Sequence, residues 1–124
     1  LASTDAQLAL GRGYDHNWVL AEQMGKLKTA ARLLDPKSGR TLEIATTEPG
    51  LQVYTANAFD GSLINAEGRP LPARAGIALE PQHFPDSPNR PEFPSIVLRP
   101  GETFHSLTEY RFSAPKRTPA WARP

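Results

Sequence analysis

Apolar and polar residues alternate with a period of two along several short segments of the chain, which is the spacing of β-strands. In residues 41–47, apolar side chains take every second position up to Ile44. Residues 51–55 alternate again, so Gln52 and Tyr54 are predicted to share one face of that strand. A strand over residues 16–20 is predicted from their Trp and Val, which favour strands, and the longest strand is predicted over residues 103–112.

Residues 27–34 have a periodicity that fits either a helix or a strand. Gly25 precedes this segment, and the turn-forming residues 35–39, Asp-Pro-Lys-Ser-Gly, follow it. Because such a turn commonly joins two antiparallel strands, and residues 41–47 are predicted to form a strand, the context favours a hairpin. Together with the other strands, this hairpin predicts an all-β, antiparallel fold.

The apolar run of residues 77–79 ends in Glu80, and Pro81 follows at once. A proline has no N–H to donate to a sheet, so this strand is predicted to end at Glu80. Residues 69–100 contain eight prolines, which excludes a helix and any central strand there. Because aromatic and aliphatic residues interrupt the prolines, the segment is predicted to be a packed loop rather than a disordered one.

The position of Glu80 suits two different roles. A carboxylate where a buried strand opens into a loop is a common place for a catalytic side chain. A glutamate at a strand end is more often simply solvated, so position alone favours that simpler interpretation.

The composition narrows the range of partners and chemistries. The 124 residues include 14 Lys and Arg against 13 Asp and Glu, without a basic patch, so neither nucleic acid nor an anionic membrane is an expected partner. The absence of cysteine excludes disulfides, thiolate nucleophiles and cysteine-ligated zinc, and the three histidines lack metal-ligand spacing, so no metal site is expected. No apolar run approaches the length of a membrane span, and the cytoplasm is the default expectation for the compartment.

Three segments resemble, in the same order, the motifs of one enzyme family. They are residues 13–20 (Gly-Tyr-Asp-His-Asn-Trp-Val-Leu), residues 48–55 (Glu-Pro-Gly-Leu-Gln-Val-Tyr-Thr) and residues 76–102, which begin Gly-Ile-Ala-Leu-Glu-Pro-Gln-His-Phe-Pro-Asp. The family is that of the aldose 1-epimerases, the galactose mutarotases. The resemblance implies that residues 1–112 are the C-terminal portion of a large β-sandwich domain, that residues 113–124 are a tail, and that the whole protein is longer.

The resemblance also implies a reaction and the residues that perform it. Mutarotation interconverts the α and β anomers of an aldohexose such as galactose or glucose by acid–base ring opening, with no cofactor and no metal. Glu80 matches the family's catalytic base, Asp15 matches a residue that hydrogen-bonds sugar hydroxyls, and Gln52 matches a residue of the sugar pocket. The family's acid is a histidine in an upstream motif that this chain does not contain.

Each of these assignments has a plainer structural alternative. Asp15 is also suited to capping the turn after Gly13, and Gln52 to an exposed position on its strand. Among the aromatic residues that could stack on a sugar, Trp18 is predicted to belong to the core. His105 is predicted to lie on the surface of the last strand.

The alternative function is a non-catalytic carbohydrate-binding β-sandwich, which would keep Asp15 and Gln52 but would have no need of Glu80. Either function implies a monosaccharide as the small-molecule partner. A further expected partner is the missing N-terminal part of the same protein, or a second copy of the chain. A partial sandwich exposes strand edges and an apolar sheet face, and such a partner would cover them.

Overall fold

The structure is a computed structural model that describes residues 4–20 and 24–115. Nearly all of its regular structure is β, which confirms the predicted all-β class. The predicted tail, residues 113–124, lies outside the described residues from residue 116 onward. Within the described ranges, no helix has the length and apolar character needed to cross a membrane. In chain order the elements are α1 (Ala6–Leu10), β1 (Asp15–Val19), β2 (Lys28–Leu34), β3 (Thr41–Thr46), β4 (Gly50–Tyr54), β5 (Ala78–Gln82), a 3-10 helix (Ser87–Asn89) and β6 (Thr108–Ser113).

The six strands form two antiparallel sheets of three strands each. The strand order is β1-β4-β5 in the first sheet and β2-β3-β6 in the second. Residues 47–49 alone connect β3 of the second sheet to β4 of the first. Because this link is so short, the C-terminal end of β3 lies close to the N-terminal end of β4. Two sheets joined in this way are consistent with part of a β-sandwich.

The β2–β3 hairpin forms where the turn residues predict it. The Asp35 carboxylate accepts hydrogen bonds from the backbone N–H groups of Lys37 (3.0 Å) and Ser38 (3.3 Å), and from the Ser38 hydroxyl (2.6 Å). Gly39 follows with a φ of 68°, a left-handed conformation that glycine adopts without strain. The ambiguous residues 27–34 are therefore in a strand, because this turn brings β3 back alongside them.

One asparagine holds the segment that leads into β1 against the segment that follows β4. Asn57 Nδ2 donates to the backbone carbonyls of Gly11 (2.9 Å) and Tyr14 (2.8 Å), and its Oδ1 accepts from the Thr55 hydroxyl (2.7 Å). Gly13 has a φ of 143°, and a Cβ built there would lie 2.2 Å from Asn57 Oδ1. Only glycine permits so close an approach, so Gly13 determines how the chain enters β1.

The core of the described residues is small and centres on β3 and β4. Its buried apolar side chains are Ile44, Ala45, Leu51 and Ala56. Ile44 and Ala45 point to opposite sides of β3, and both are buried. The middle strand of the second sheet is therefore covered on both faces at this point.

β5 continues beyond Glu80 to Gln82, so the prediction that Pro81 ends the strand is wrong. β5 lies at an edge of the first sheet, with β4 as its neighbour, and Pro81 is opposite Leu51. Proline is tolerated in an edge strand because the donor that it lacks can be one that faces away from the sheet. Gln82 consequently stays on the sheet, on the same face as Glu80.

β6 begins at Thr108, not at the predicted residue 103. Its partner β3 ends at Thr46, which is opposite Thr108, so β3 has no residue left to pair with the earlier positions. His105 is exposed as predicted, but it lies before the strand and not on it.

Trp18 is 53% exposed, so its predicted place in the core is wrong. The residue alternates with Asn17 and Val19 and therefore faces the opposite side of the first sheet from them. There its ring contacts Tyr14, with the ring centroids 6.3 Å apart. The described residues leave the rest of the indole uncovered.

Candidate active site

The first sheet has one polar face, and the strand register builds it. Asn17 of β1, Gln52 of β4 and Glu80 of β5 lie opposite one another in a single row across the three strands. Residues that are directly opposite on neighbouring strands share a face, so these three side chains project to the same side. The alternation along β4 predicts that Gln52 and Tyr54 share a face. The pairing register then places Asn17 of β1 and Glu80 of β5 on the same face as Gln52.

A cavity of about 470 Å³ opens on this polar face. Its volume is in the range of small-molecule sites in proteins. The three residues for which a sugar-related role was predicted all line it, although they are far apart in the sequence. The lining consists of Asp15, Gln52, Tyr54, Glu80, Gln82 and Pro85.

Within the cavity, Gln52 Nε2 donates a hydrogen bond to Asp15 Oδ1 at 2.8 Å. Asp15 belongs to β1 itself, and this contact directs its carboxylate along the sheet face toward β4. Gln52 Oε1 is buried and has no hydrogen-bond partner among the described residues. The pair therefore presents a carboxylate held in place by a charge-assisted bond, and its remaining lone pairs can accept hydrogen bonds from hydroxyl groups.

Glu80 is exposed at the cavity, directly across from Gln52. Its carboxylate makes no hydrogen bond or ion pair with any described residue. A carboxylate without a cation or donor beside it keeps its lone pairs available to take up a proton. The cavity therefore holds one carboxylate suited to proton transfer and another that is already hydrogen-bonded to a neighbouring side chain.

The residues after β5 form a packed wall beside the site. A Cβ at Gly50 would lie 3.0 Å from ring atoms of Phe84, so the aromatic ring lies directly over this glycine. Phe84 meets Phe93 edge to face, with the ring centroids 5.2 Å apart, and the Ser87 hydroxyl donates to the Phe84 carbonyl at 2.6 Å. The predicted packed loop over residues 69–100 is thus confirmed only around Phe84, Ser87 and Phe93, whereas residues 72–77 and 96–98 are exposed.

The sequence profile for aldose 1-epimerase matches residues 2–111. The chain belongs to the aldose 1-epimerase family. It is 46% identical over 101 residues to the galactose mutarotase of Rattus norvegicus and 44% identical to that of Homo sapiens, and these alignments cover 82% of this chain and 29% of the relatives. It is 41% identical over 105 residues to the aldose 1-epimerase of Escherichia coli (strain K12), covering 83% and 30%. The chain thus spans less than a third of the length of the curated relatives that it matches.

None of the three histidines lines the cavity in this member of the aldose 1-epimerase family. His16 follows Asp15 on β1 and so faces the other side of the sheet. His83 Nδ1 lies 2.8 Å from Glu48 Oε2, and His105 is exposed outside any strand. Among the described residues, no three His, Asp or Glu side chains lie close enough together to hold a metal ion. The cavity therefore gathers Asp15, Gln52 and Glu80, the three residues with a predicted role, without an imidazole.

Sequence reasoning missed Gln82 and Pro85 in the lining, and it missed the contact between Glu48 and His83. Gln82 follows Glu80 with the strand period of two, so the alternation identifies it once the strand is continued through the proline. Pro85 lies beyond the strand and follows no period. The Glu48–His83 contact joins segments that are distant in sequence, and no local pattern signals it.

Proposed function

We propose that the protein to which this chain belongs is an aldose 1-epimerase, a mutarotase that interconverts the α and β anomers of an aldohexose such as galactose or glucose. One observation carries the proposal: Asp15, Gln52 and Glu80 line a single cavity on one face of a sheet. The names of the relatives, galactose mutarotase and aldose 1-epimerase, support the same reaction.

In the proposed reaction, Glu80 removes the proton of the anomeric hydroxyl. The electron pair of that O–H bond becomes the second bond of the aldehyde, the bond between C1 and the ring oxygen breaks, and an acid protonates the ring oxygen. Rotation about the C1–C2 bond turns the aldehyde, and the reverse steps close the ring on the other face. One proton is taken up and one is released, so the reaction needs no redox partner and no cofactor.

Asp15 and Gln52 bind the sugar in this scheme. Hydroxyl groups donate to the remaining lone pairs of the Asp15 carboxylate, which Gln52 Nε2 holds in place from the same cavity. Tyr54 lines the same cavity and offers an aromatic surface to the C–H groups of the ring. The resemblance assigns the acid to a histidine outside residues 1–124.

A non-catalytic carbohydrate-binding module is the second candidate. The cavity contains no imidazole, and this favours the second candidate for residues 1–124 taken alone, because binding uses Asp15 and Gln52 and needs no acid. This function gives the unpaired carboxylate of Glu80 no role. The rate of anomer exchange in the full-length protein distinguishes the two candidates.

The test is Glu80→Gln in the full-length protein, measured by polarimetry of freshly dissolved α-glucose and α-galactose. The substitution keeps the size of the side chain and removes its proton-accepting charge, so the rate is expected to fall about 10²- to 10⁴-fold. Glu67→Gln, on an exposed loop where Glu67 pairs with Arg69, is the matched control and should keep the wild-type rate. A Glu80→Gln protein with a near-wild-type rate contradicts the assignment of the base. A wild-type protein that binds sugar but does not speed exchange supports the binding module instead.

A further inference from the structure

A buried carboxylate lies away from the cavity, in the short link between β3 and β4. Glu48 is only 6% exposed. Its Oε1 accepts from the Ser106 hydroxyl at 2.5 Å, and its Oε2 lies 2.8 Å from Nδ1 of His83. Lys28, also buried, donates from Nζ to the backbone carbonyl of Glu48 at 2.9 Å. Both carboxylate oxygens therefore have a partner, as a buried charge requires.

These contacts join four segments of the chain at one point. Lys28 begins β2, Glu48 connects the two sheets, His83 directly follows β5, and Ser106 precedes β6. None of the four residues lines the sugar cavity, so the proposed reaction gives none of them a part. Because burial of a carboxylate is costly, a fully paired one at such a junction indicates a role in fixing geometry.

β5, which carries Glu80, lies at an edge of the first sheet. Among the described residues it pairs only with β4, and Pro81 removes one N–H from it. His83 follows the last residue of β5 and lies three positions after Glu80. Three residues of extended backbone are short and stiff, so a displacement at His83 is transmitted to Glu80.

We propose that the Glu48–His83 pair positions Glu80 for proton transfer. The inference rests on the proposed function, because that reaction is what requires a defined position of Glu80. Both members of the pair are positioning residues, since neither lines the cavity that would hold the sugar. Asp15 lies on β1, which contributes no residue to the cluster. Gln52 lies on β4, close to Glu48, and Glu48 keeps its bonds from Ser106 and Lys28 when His83 is replaced. Loss of the pair is therefore expected to lower kcat far more than it raises KM.

The test compares His83→Leu with His83→Asn in the full-length protein by polarimetry. Leucine cannot bond to Glu48, so kcat is expected to fall about tenfold or more, with KM changing by less than about twofold. The Nδ2 of asparagine lies nearly where the imidazole Nδ1 lies, so His83→Asn is expected to retain most of the kcat. His105→Leu makes the same substitution at an exposed histidine outside the cluster and should leave kcat unchanged. An unchanged kcat in His83→Leu overturns the proposal.

A double-mutant cycle with Glu80→Gln separates positioning from a general loss of structure. If His83 acts through Glu80, His83→Leu lowers the rate in the wild type but causes no further loss in Glu80→Gln, while it lowers the Tm in both backgrounds. The same fractional loss of rate in both backgrounds overturns the proposal. Should His83→Leu fail to fold, Ser106→Ala, which removes one hydrogen bond from Glu48, replaces it with the same expected pattern.

The outcomes also distinguish this inference from the proposed function. If the wild-type protein does not speed anomer exchange, the proposed function fails. If it does and Glu80→Gln keeps the wild-type rate, the base assignment fails, and the positioning role fails with it. If Glu80→Gln abolishes the activity while His83→Leu keeps the wild-type kcat, the base assignment stands and only the positioning role is wrong.

Discussion

At the scale of single residues, the polar face of the first sheet is unusual for its unpaired buried atoms. Asn17 Oδ1, Asn17 Nδ2 and Gln52 Oε1 are buried without a hydrogen-bond partner among the described residues, and the two side chains are opposite one another on β1 and β4. A buried polar atom without a partner costs about 1–3 kcal/mol. They lie in one row beside the cavity that Asp15 and Glu80 line, and Asn17 Oδ1 is packed against Gly50. The polar face therefore carries a cost that its contacts among the described residues do not offset.

Asp15 gives the residue-scale prediction. Asp15→Ala in the full-length protein is expected to raise KM about 10- to 100-fold, because hydrogen bonds to a charged group contribute about 1.5–3 kcal/mol. Stability should change little, since the Asp15 side chain is exposed and its hydrogen bond to a described residue is the one from Gln52. Polarimetry at several sugar concentrations and a thermal melt measure the two effects, with Asp60→Ala on a surface loop as the control. A lower Tm with an unchanged KM would mean that Asp15 has a structural role only.

At the scale of elements, the hairpin gives a prediction about pH. The Ser38 hydroxyl and the backbone N–H of Lys37 donate to Asp35 and hold the pKa of that carboxyl below its ordinary value. Because the folded pKa is the lower one, the ionised group stabilises the protein above the pKa of the unfolded chain, and this contribution is lost as pH falls through the folded pKa. The Tm difference between wild type and Asp35→Ala should therefore shrink as the solution is acidified below the folded pKa. A Tm difference that stays constant with pH contradicts this. Ser38→Ala removes the hydrogen bond that contributes most to the lowered pKa of Asp35. An NMR titration of this variant should therefore give an Asp35 pKa closer to the ordinary value.

The elements that the sequence predicts well are those that depend on local chemistry. The alternation along β4 suffices for the shared face of Gln52 and Tyr54, and the turn residues 35–39 suffice for the hairpin. The extent of β5 and the start of β6 depend instead on which strand lies alongside, and neither the edge position of Pro81 nor the end of β3 has a local signal. The resemblance to the family motifs identifies three residues of the cavity lining. Gln82 is identified as a fourth only when β5 is known to continue through Pro81.

At the scale of the whole molecule, the described residues leave much apolar surface uncovered. On β6, Tyr110 and Phe112 share a face and are 51% and 76% exposed. Trp18 is half exposed on the first sheet, and each sheet has only three strands, so both keep unpaired edges in the described part of the chain. Contiguous apolar surface and open strand edges are features that proteins usually cover. The family relatives, nearly three times as long, have additional chain that could cover them.

Residues 1–124 alone are therefore expected neither to catalyse anomer exchange nor to remain monomeric. The proposed base is in the cavity, but none of the three histidines lines it, and a base without an acid leaves protonation of the ring oxygen unassisted. The exposed face of β6 and the open edges should drive self-association, visible as oligomers or aggregates in size-exclusion chromatography with light scattering. Polarimetry of the same sample should give the rate of buffer alone, with the full-length protein as the positive control. A stable monomer that speeds anomer exchange would contradict both expectations, and it would require the acid to be His16, His83 or His105.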